Sequence, residues 1–159
     1  MIIFPDAPLL RPVLTPDNPS LKMAYELSRE DFLVDFEGHK ILVPWLLQSD
    51  GASIPQAFWS EIGSPYLPIY IFGALPHDKV YLSHEIHRAD ADRMLWYILR
   101  QCGVPKITAN IIYDAVREFG KSHWENDEND IGYIKVLTDK IHTSGRNPAD
   151  YGFKAIAKC

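Results

Sequence analysis

The hydrophobic pattern changes period once along the chain, and that change limits the possible folds more than any other feature. From Leu21 to Val43 apolar residues alternate with period two: Met23, Tyr25 and Leu27, then Phe32, Val34 and Phe36, then Ile41 and Val43. Alternation of this kind lays one side of an extended chain against a core. From Ile69 onward the apolar residues recur at three- and four-residue intervals, the repeat of a helix face. Strands grouped ahead of helices describe an α+β fold, a small antiparallel sheet followed by about three helices packed as a layer.

The alternation predicts three short antiparallel strands. Glu37-Gly38-His39 turns the second into the third, because Gly38 can supply the positive φ of a tight hairpin, and Pro44 ends pairing. Ahead of them, Pro5, Pro8, Pro12, Pro16 and Pro19 exclude helix and predict an extended arm over residues 1–20, with structure beginning after it. Past the sheet, the loop Ser49-Asp50-Gly51-Ala52-Ser53-Ile54-Pro55 leads into a short helix that Pro55 can begin and that carries Phe58 and Trp59.

Three longer helices follow. The first spans Ile69 to Leu82, where Pro76 must kink it or open its second part. The second spans Ala89 to Gln101, stopped by Gly103 and Pro105, with Leu95, Ile98, Leu99 and Cys102 as its apolar side. The third spans Lys106 to Phe119, with Ile107, Ile111, Ala115 and Phe119 stacked as a core face and Gly120 as the stop. The run Glu125 to Asp130 reads as acidic and exposed, and Tyr133 to Ile141 as one strand or helix. The arm, a domain over 21–124 and an acidic extension over 125–159 packed on it make one folding unit, which the length of 159 residues suits.

Composition removes several classes of function. The net charge is −5 with no Lys/Arg cluster, so nucleic acid is not an expected partner. Asp6 and two prolines interrupt the first ten residues, and no signal peptide is read there. The best apolar run, Leu67 to Leu75, contains Pro68 and Gly73, so no transmembrane segment is expected. Cys102 and Cys159 form neither a disulfide framework nor a metal motif, as fits a reducing cytoplasm.

Chemistry concentrates in His77-Asp78-Lys79-Val80-Tyr81. On a helix His77 and Tyr81 lie one turn apart, while Asp78 points about 100° away. Asp92 shares register with Leu95, Trp96 and Leu99, which predicts a partly buried carboxylate in need of a partner. His77, on the preceding antiparallel helix, can be that partner, the carboxylate fixing its tautomer to make a general-base pair. Asp78 is then free, with the oxygen-rich loop Asp50-Gly51-Ala52-Ser53, to meet a hard cation such as Ca²⁺. The same residues equally describe a structural hydrogen-bonding network, and Asp50-Gly51 alone suffices for a turn.

Zinc is a further alternative, since His84, Glu85, His87, Asp90 and Asp92 crowd one stretch, although their spacing is not diagnostic and Asp90 suits a helix N-terminus. Arg117 can pair with a site carboxylate, but the preferred reading turns it to solvent. Ser53 lacks a G-x-S-x-G context and neither cysteine sits in a nucleophile motif, so an enzyme here activates water.

Asp50-Gly51-Ala52-Ser53-Ile54-Pro55, Phe58-Trp59, His77-Asp78, Tyr81, Arg88 and Ala91-Asp92 together resemble the domain-of-unknown-function family 1353. The resemblance spans roughly Val43 to Gly120 and includes Gly103-Val104, Ala109, Tyr113 and Phe119-Gly120, while Pro76 departs from the small or aliphatic residue expected before the histidine. It implies a tailed-phage or prophage origin, with the protein in the host cytoplasm or virion, and no established activity. His-Asp-x-x-Tyr by itself is similar to the segment of phospholipases A2. That likeness implies His77 deprotonating water, Asp92 orienting His77, Tyr81 bracing the aspartate, and Asp78 with the loop near Gly51 holding Ca²⁺ against an ester carbonyl, with a lipid or other ester as substrate. The disulfides and glycine-rich calcium loop of those enzymes have no counterpart in this chain. The rival expectation is a non-enzymatic virion or assembly component bound to phage structural proteins.

Overall fold

The structure, a computed structural model, describes residues 9–21, 24–28, 30–51, 54, 56–64 and 67–153. Strands β1 (Leu10–Val13), β2 (Ala24–Leu27) and β5 (Gln48–Ser49) form one antiparallel sheet in the order β1-β2-β5. Strands β3 (Phe32–Phe36) and β4 (His39–Val43) form a separate hairpin. Its two-residue turn places both Glu37 and Gly38 at positive φ, the geometry that matches the twist of paired strands. The fold class is α+β, as the change of period implies.

Two features of the sheet differ from expectation. Part of the proline-rich arm is structured: β1 pairs with β2 along its whole length, and Pro12 is tolerated because β1 is an edge strand. In β2 the burial does not follow the alternation, since Ala24 and Glu26 are buried along with Leu27. As the central strand, β2 is covered on both sides. Glu26 is buried because Arg11 Nε donates to its Oε1 at 2.8 Å and Gln48 Nε2 to its Oε2 at 2.9 Å. Met23, Ala52, Ser53 and Pro55 lie outside the described residues.

After a 3-10 turn at Gln56–Phe58 come α1 (Trp59–Ile62), α2 (Pro68–Ser83), α3 (Arg88–Gln101), α4 (Lys106–Phe119), α5 (Lys121–Trp124) and α6 (Glu128–Thr143). Helix α2 is central, buried from Tyr70 to Tyr81 on nearly every side. It runs as one element past Pro76, which costs a hydrogen bond without ending the helix. Gly73 allows α3 to approach, because a Cβ there would come within 2.8 Å of Leu95 Cδ1. His84, at φ 53, closes α2, and the chain reverses into an antiparallel α3.

Helix α4 has the expected bounds but a different buried face. Ala109, Ile112, Ala115 and Val116 are buried, whereas Ile107 is 76% exposed and Phe119 54% exposed. An apolar row at four-residue spacing drifts around a 3.6-residue helix, so Ile107 and Phe119 end on its solvent side. The acidic run is the start of α6: Asp127 caps it, accepting the Asp130 N–H at 2.9 Å, and acidic residues in a first turn suit the helix dipole. Tyr133, Ile134, Leu137 and Ile141 of α6 join the main core with Val34, Ile41 and Leu47. Among the described residues no helix is long and apolar enough to cross a membrane.

The observed face of α4 predicts unequal costs for one substitution at two isoleucines. Ile112→Ala should destabilise by about 2 to 5 kcal/mol, and Ile107→Ala should change stability by less than about 0.5 kcal/mol, both read from urea unfolding. Equal losses would contradict this packing.

Candidate functional site

The antiparallel packing of α2 on α3 brings His77 against Asp92, as the sequence predicts. His77 Nε2 lies 2.8 Å from Asp92 Oδ1, and the Tyr81 hydroxyl donates to the same oxygen at 2.7 Å. The Tyr81 ring packs on the imidazole with centroids 4.2 Å apart. Asp92 is wholly buried and His77 is 3% exposed.

The other carboxylate oxygen belongs to arginines. Arg117 Nη1 donates to Asp92 Oδ2 at 2.7 Å, so the reading that turned Arg117 to solvent is incorrect. A fully buried carboxylate outweighs the hydration of a half-exposed guanidinium. Arg88 Nε stands 3.7 Å from the same oxygen and 3.2 Å from the Tyr81 hydroxyl. The Arg88 Nη2 donates to the carbonyls of Val116 and Arg117, satisfying the end of α4. Gly120 completes this junction, because a Cβ there would lie 2.7 Å from the Tyr81 hydroxyl.

Burial alone would raise the proton affinity of Asp92, but bonds from His77, Tyr81 and Arg117 overcome it and hold the carboxyl below its usual range. Burial likewise opposes charge on His77, yet Asp78 and Asp92 outweigh it and the imidazole holds its proton above its ordinary value. The Tyr81 phenol is pushed up by burial and by Asp92. An anionic Asp92 can only accept, so the Nε2 of His77 carries the proton and Nδ1 faces Asp78, 3.8 Å from its Oδ1.

Asp78 also forms part of the wall of a cavity of about 210 Å³. One side is built from Gln48, Ser49 and Asp50 and from Asp78, Tyr81 and Leu82. The rest of the lining comes from Asn18, Ser20 and Leu21 between β1 and β2, and from His123, Asp127, Asp130 and Tyr133 around α6. His77 is not part of this wall. Ser49 Oγ donates to Asp78 Oδ2 at 2.5 Å and accepts the Gly51 N–H at 3.0 Å. Gly51 holds φ 92, a turn conformation that suits glycine, and Asp50 before it lines the cavity. The Asp50 carboxyl is pushed up to about 6, by desolvation in its recess and then by Asp78, although much of the residue reaches solvent.

The structure therefore joins His77, Tyr81 and Asp92 in one unit and sets Asp78 and Asp50 beside a neighbouring cavity. It does not bring together the residues of the zinc alternative. Glu85 pairs with Lys79, Asp90 stands 3.5 Å from Arg93, His84 stacks on Trp124 and His87 precedes α3. Among the described residues no group of three or more His, Cys, Asp or Glu is arranged to hold a metal. The lining from Asn18 to Leu21 and from His123 to Tyr133 was missed in the sequence. The pattern Asp127-x-x-Asp130 before Tyr133 is an N-cap signal that could have placed α6, whereas nothing in Asn18 or Ser20 marks them as wall residues.

A family model described as "Protein of unknown function (DUF1353)" matches residues 26–116. The match starts in β2, earlier than the residues that carried the resemblance, and stops one residue short of Arg117. A curated relative, "Uncharacterized protein y4jT" from Sinorhizobium fredii (strain NBRC 101917 / NGR234), is 38% identical over 96 residues, which are 60% of this chain and 29% of the relative. The chain thus spans less than a third of that protein's length. No solved structure matches the chain.

The environment of Asp50 makes a signed prediction. Folding raises its pKa from 3.8 to about 6, so ionisation opposes the fold and stability falls as pH rises through that window. In metal-free buffer Asp50→Asn should raise the melting temperature near pH 7, and the gain should vanish below about pH 4. A gain of equal size at both ends would show that the ionisation of Asp50 is not what opposes the fold.

Proposed function

The chain belongs to the DUF1353 family of proteins of unknown function, and on the geometry of its site we propose that it is a hydrolase in which a His-Asp pair activates water. The observation that carries this reading is the shared oxygen: His77 Nε2 and the Tyr81 hydroxyl both meet Asp92 Oδ1, leaving His77 Nδ1 turned to a carboxylate of the cavity wall. In this reading Nδ1 takes a proton from water at the Asp78 side, and the hydroxide formed attacks an ester carbonyl. Asp92 stabilises the imidazolium, which returns the proton to the leaving alkoxide.

Asp78 and Asp50 supply two carboxylates of one sign, and the Ser49 hydroxyl a third oxygen, toward a hard cation of the Ca²⁺ type. Such an ion takes roughly six to eight oxygens, so water and substrate would complete its shell. Bound there, it would polarise the ester carbonyl. A lipid ester fits the likeness of His-Asp-x-x-Tyr to phospholipases A2, and a phage would use such an activity to penetrate or lyse its host.

The burial of His77 favours a second reading. A histidine 3% exposed and saturated by carboxylates also suits a non-enzymatic virion or assembly component, whose polar network holds α2, α3 and α4 together.

Hydrolysis of a phospholipid panel, with and without Ca²⁺, separates the two readings. The hydrolase reading expects calcium-dependent turnover that is lost in both His77→Ala and Asp92→Asn, with unfolding curves recorded in parallel. Absence of turnover in the unmodified chain, with both variants merely less stable, would favour the structural reading and direct attention to virion partners.

A further inference from the structure

Asp92 Oδ1 is fully committed to His77 and Tyr81, so whatever fixes the carboxylate plane must act on Oδ2. Two cations reach that oxygen, at unequal distances: Arg117 at 2.7 Å from α4 and Arg88 at 3.7 Å from α3. Arg88 is held elsewhere, by the Tyr81 hydroxyl and by the carbonyls of Val116 and Arg117. Among the described residues only Arg117 makes a direct bond to Oδ2. Its side chain is 38% exposed, whereas the carboxylate it holds is buried.

We infer that Arg117 is a positioning residue for His77, acting through Asp92: it pins Oδ2 so that Oδ1 stays aligned with Nε2–H and the Nδ1 lone pair stays turned to Asp78. The other groups around this unit are Tyr81 and Asp78 from α2 and Arg88 from α3, and none of them makes a short bond to Oδ2. Without Arg117 the nearest cation to Oδ2 is Arg88, an ångström farther away, and the carboxylate rotates toward it. That rotation withdraws Oδ1 from the imidazole. The inference deepens the reading of His77 as a base, since it names what sets that base's tautomer. Arg117 follows directly on the segment matched by the family model, so the role is assigned to this chain alone.

The test needs no turnover. Protein labelled with ¹⁵N in its histidine rings is compared as wild type, Arg117→Lys and Arg117→Met, with the His77 signal assigned by its loss in His77→Gln. Wild type and Arg117→Lys should show a slowly exchanging Nε2–H of His77 at low field. In a folded Arg117→Met that proton should be lost to exchange or shifted upfield. An unchanged signal in Arg117→Met would overturn the inference and leave Arg117 as a tie between α3 and α4. Should Arg117→Met not fold, Arg117→Ala, which likewise removes every donor to Oδ2 and leaves room for solvent beside the carboxylate, decides in the same way. Loss of the signal in a protein without hydrolytic activity would uphold Arg117 and sink the hydrolase reading; an unchanged signal with turnover intact would do the reverse.

Discussion

The arrangement of the three central helices depends on one buried carboxylate. Asp92 has no solvent to ionise into, and a charge in that position is tolerable only with its partners in place. Those partners come from α2, as His77 and Tyr81, and from α4, as Arg117. Each bond therefore specifies the rotation of a helix as well as satisfying a charge. Hydrophobic packing at Gly73 and Leu95 brings α2 and α3 close, but it tolerates small slips that a hydrogen bond of 2.7 Å does not. The end of α4 is fixed by the same centre, through Arg88 on its last carbonyls and through Gly120 against the Tyr81 hydroxyl.

Helix α2 illustrates how a segment buried on nearly all sides can still carry charge. Lys79 is fully buried, its ammonium paired with Glu85 and set over the Phe153 ring at 5.7 Å, and burial lowers its pKa. His77, Asp78 and Lys79 are consecutive yet face different surroundings: the Asp92 centre, the cavity, and the chain's last described residues. An aromatic series runs outward from the same helix. His77 packs on Tyr81, Tyr81 meets the edge of Trp124 at 5.2 Å, and Trp124 stacks on the exposed His84.

What could be read in the sequence followed the range of the interaction. The bounds of α3 and α4 and the hairpin turn at Glu37-Gly38 are set by neighbours in the chain, through stops, caps and periodicity. The pairing of His77 with Asp92 was also legible, because two adjacent antiparallel helices fix a fifteen-residue separation almost as firmly as a turn does. Arg117, Asn18 and Tyr133 were not, since each acts across more than 20 residues of intervening chain and nothing local marks the partner. The face of α4 was misread for the opposite reason. A row at intervals of four is conspicuous in the sequence, whereas the buried face is set by packing on other helices, where Ala109 and Ile112 join Leu95 and Leu99.

The cavity has two origins, and this bears on how the site can change over time. One part of its lining, with Asp78 and Tyr81, lies within residues 26–116; another, from Asn18 and from Asp127 to Tyr133, lies outside them. Residues of the second group make no bond to Asp92, and several have structural duties of their own: Tyr133 belongs to the core and Asp127 caps α6. A lineage can in this way keep the bonds around Asp92 while the cavity beside them is rebuilt by other parts of the chain, and kinship over the matched segment alone does not carry the cavity's shape from one member to another.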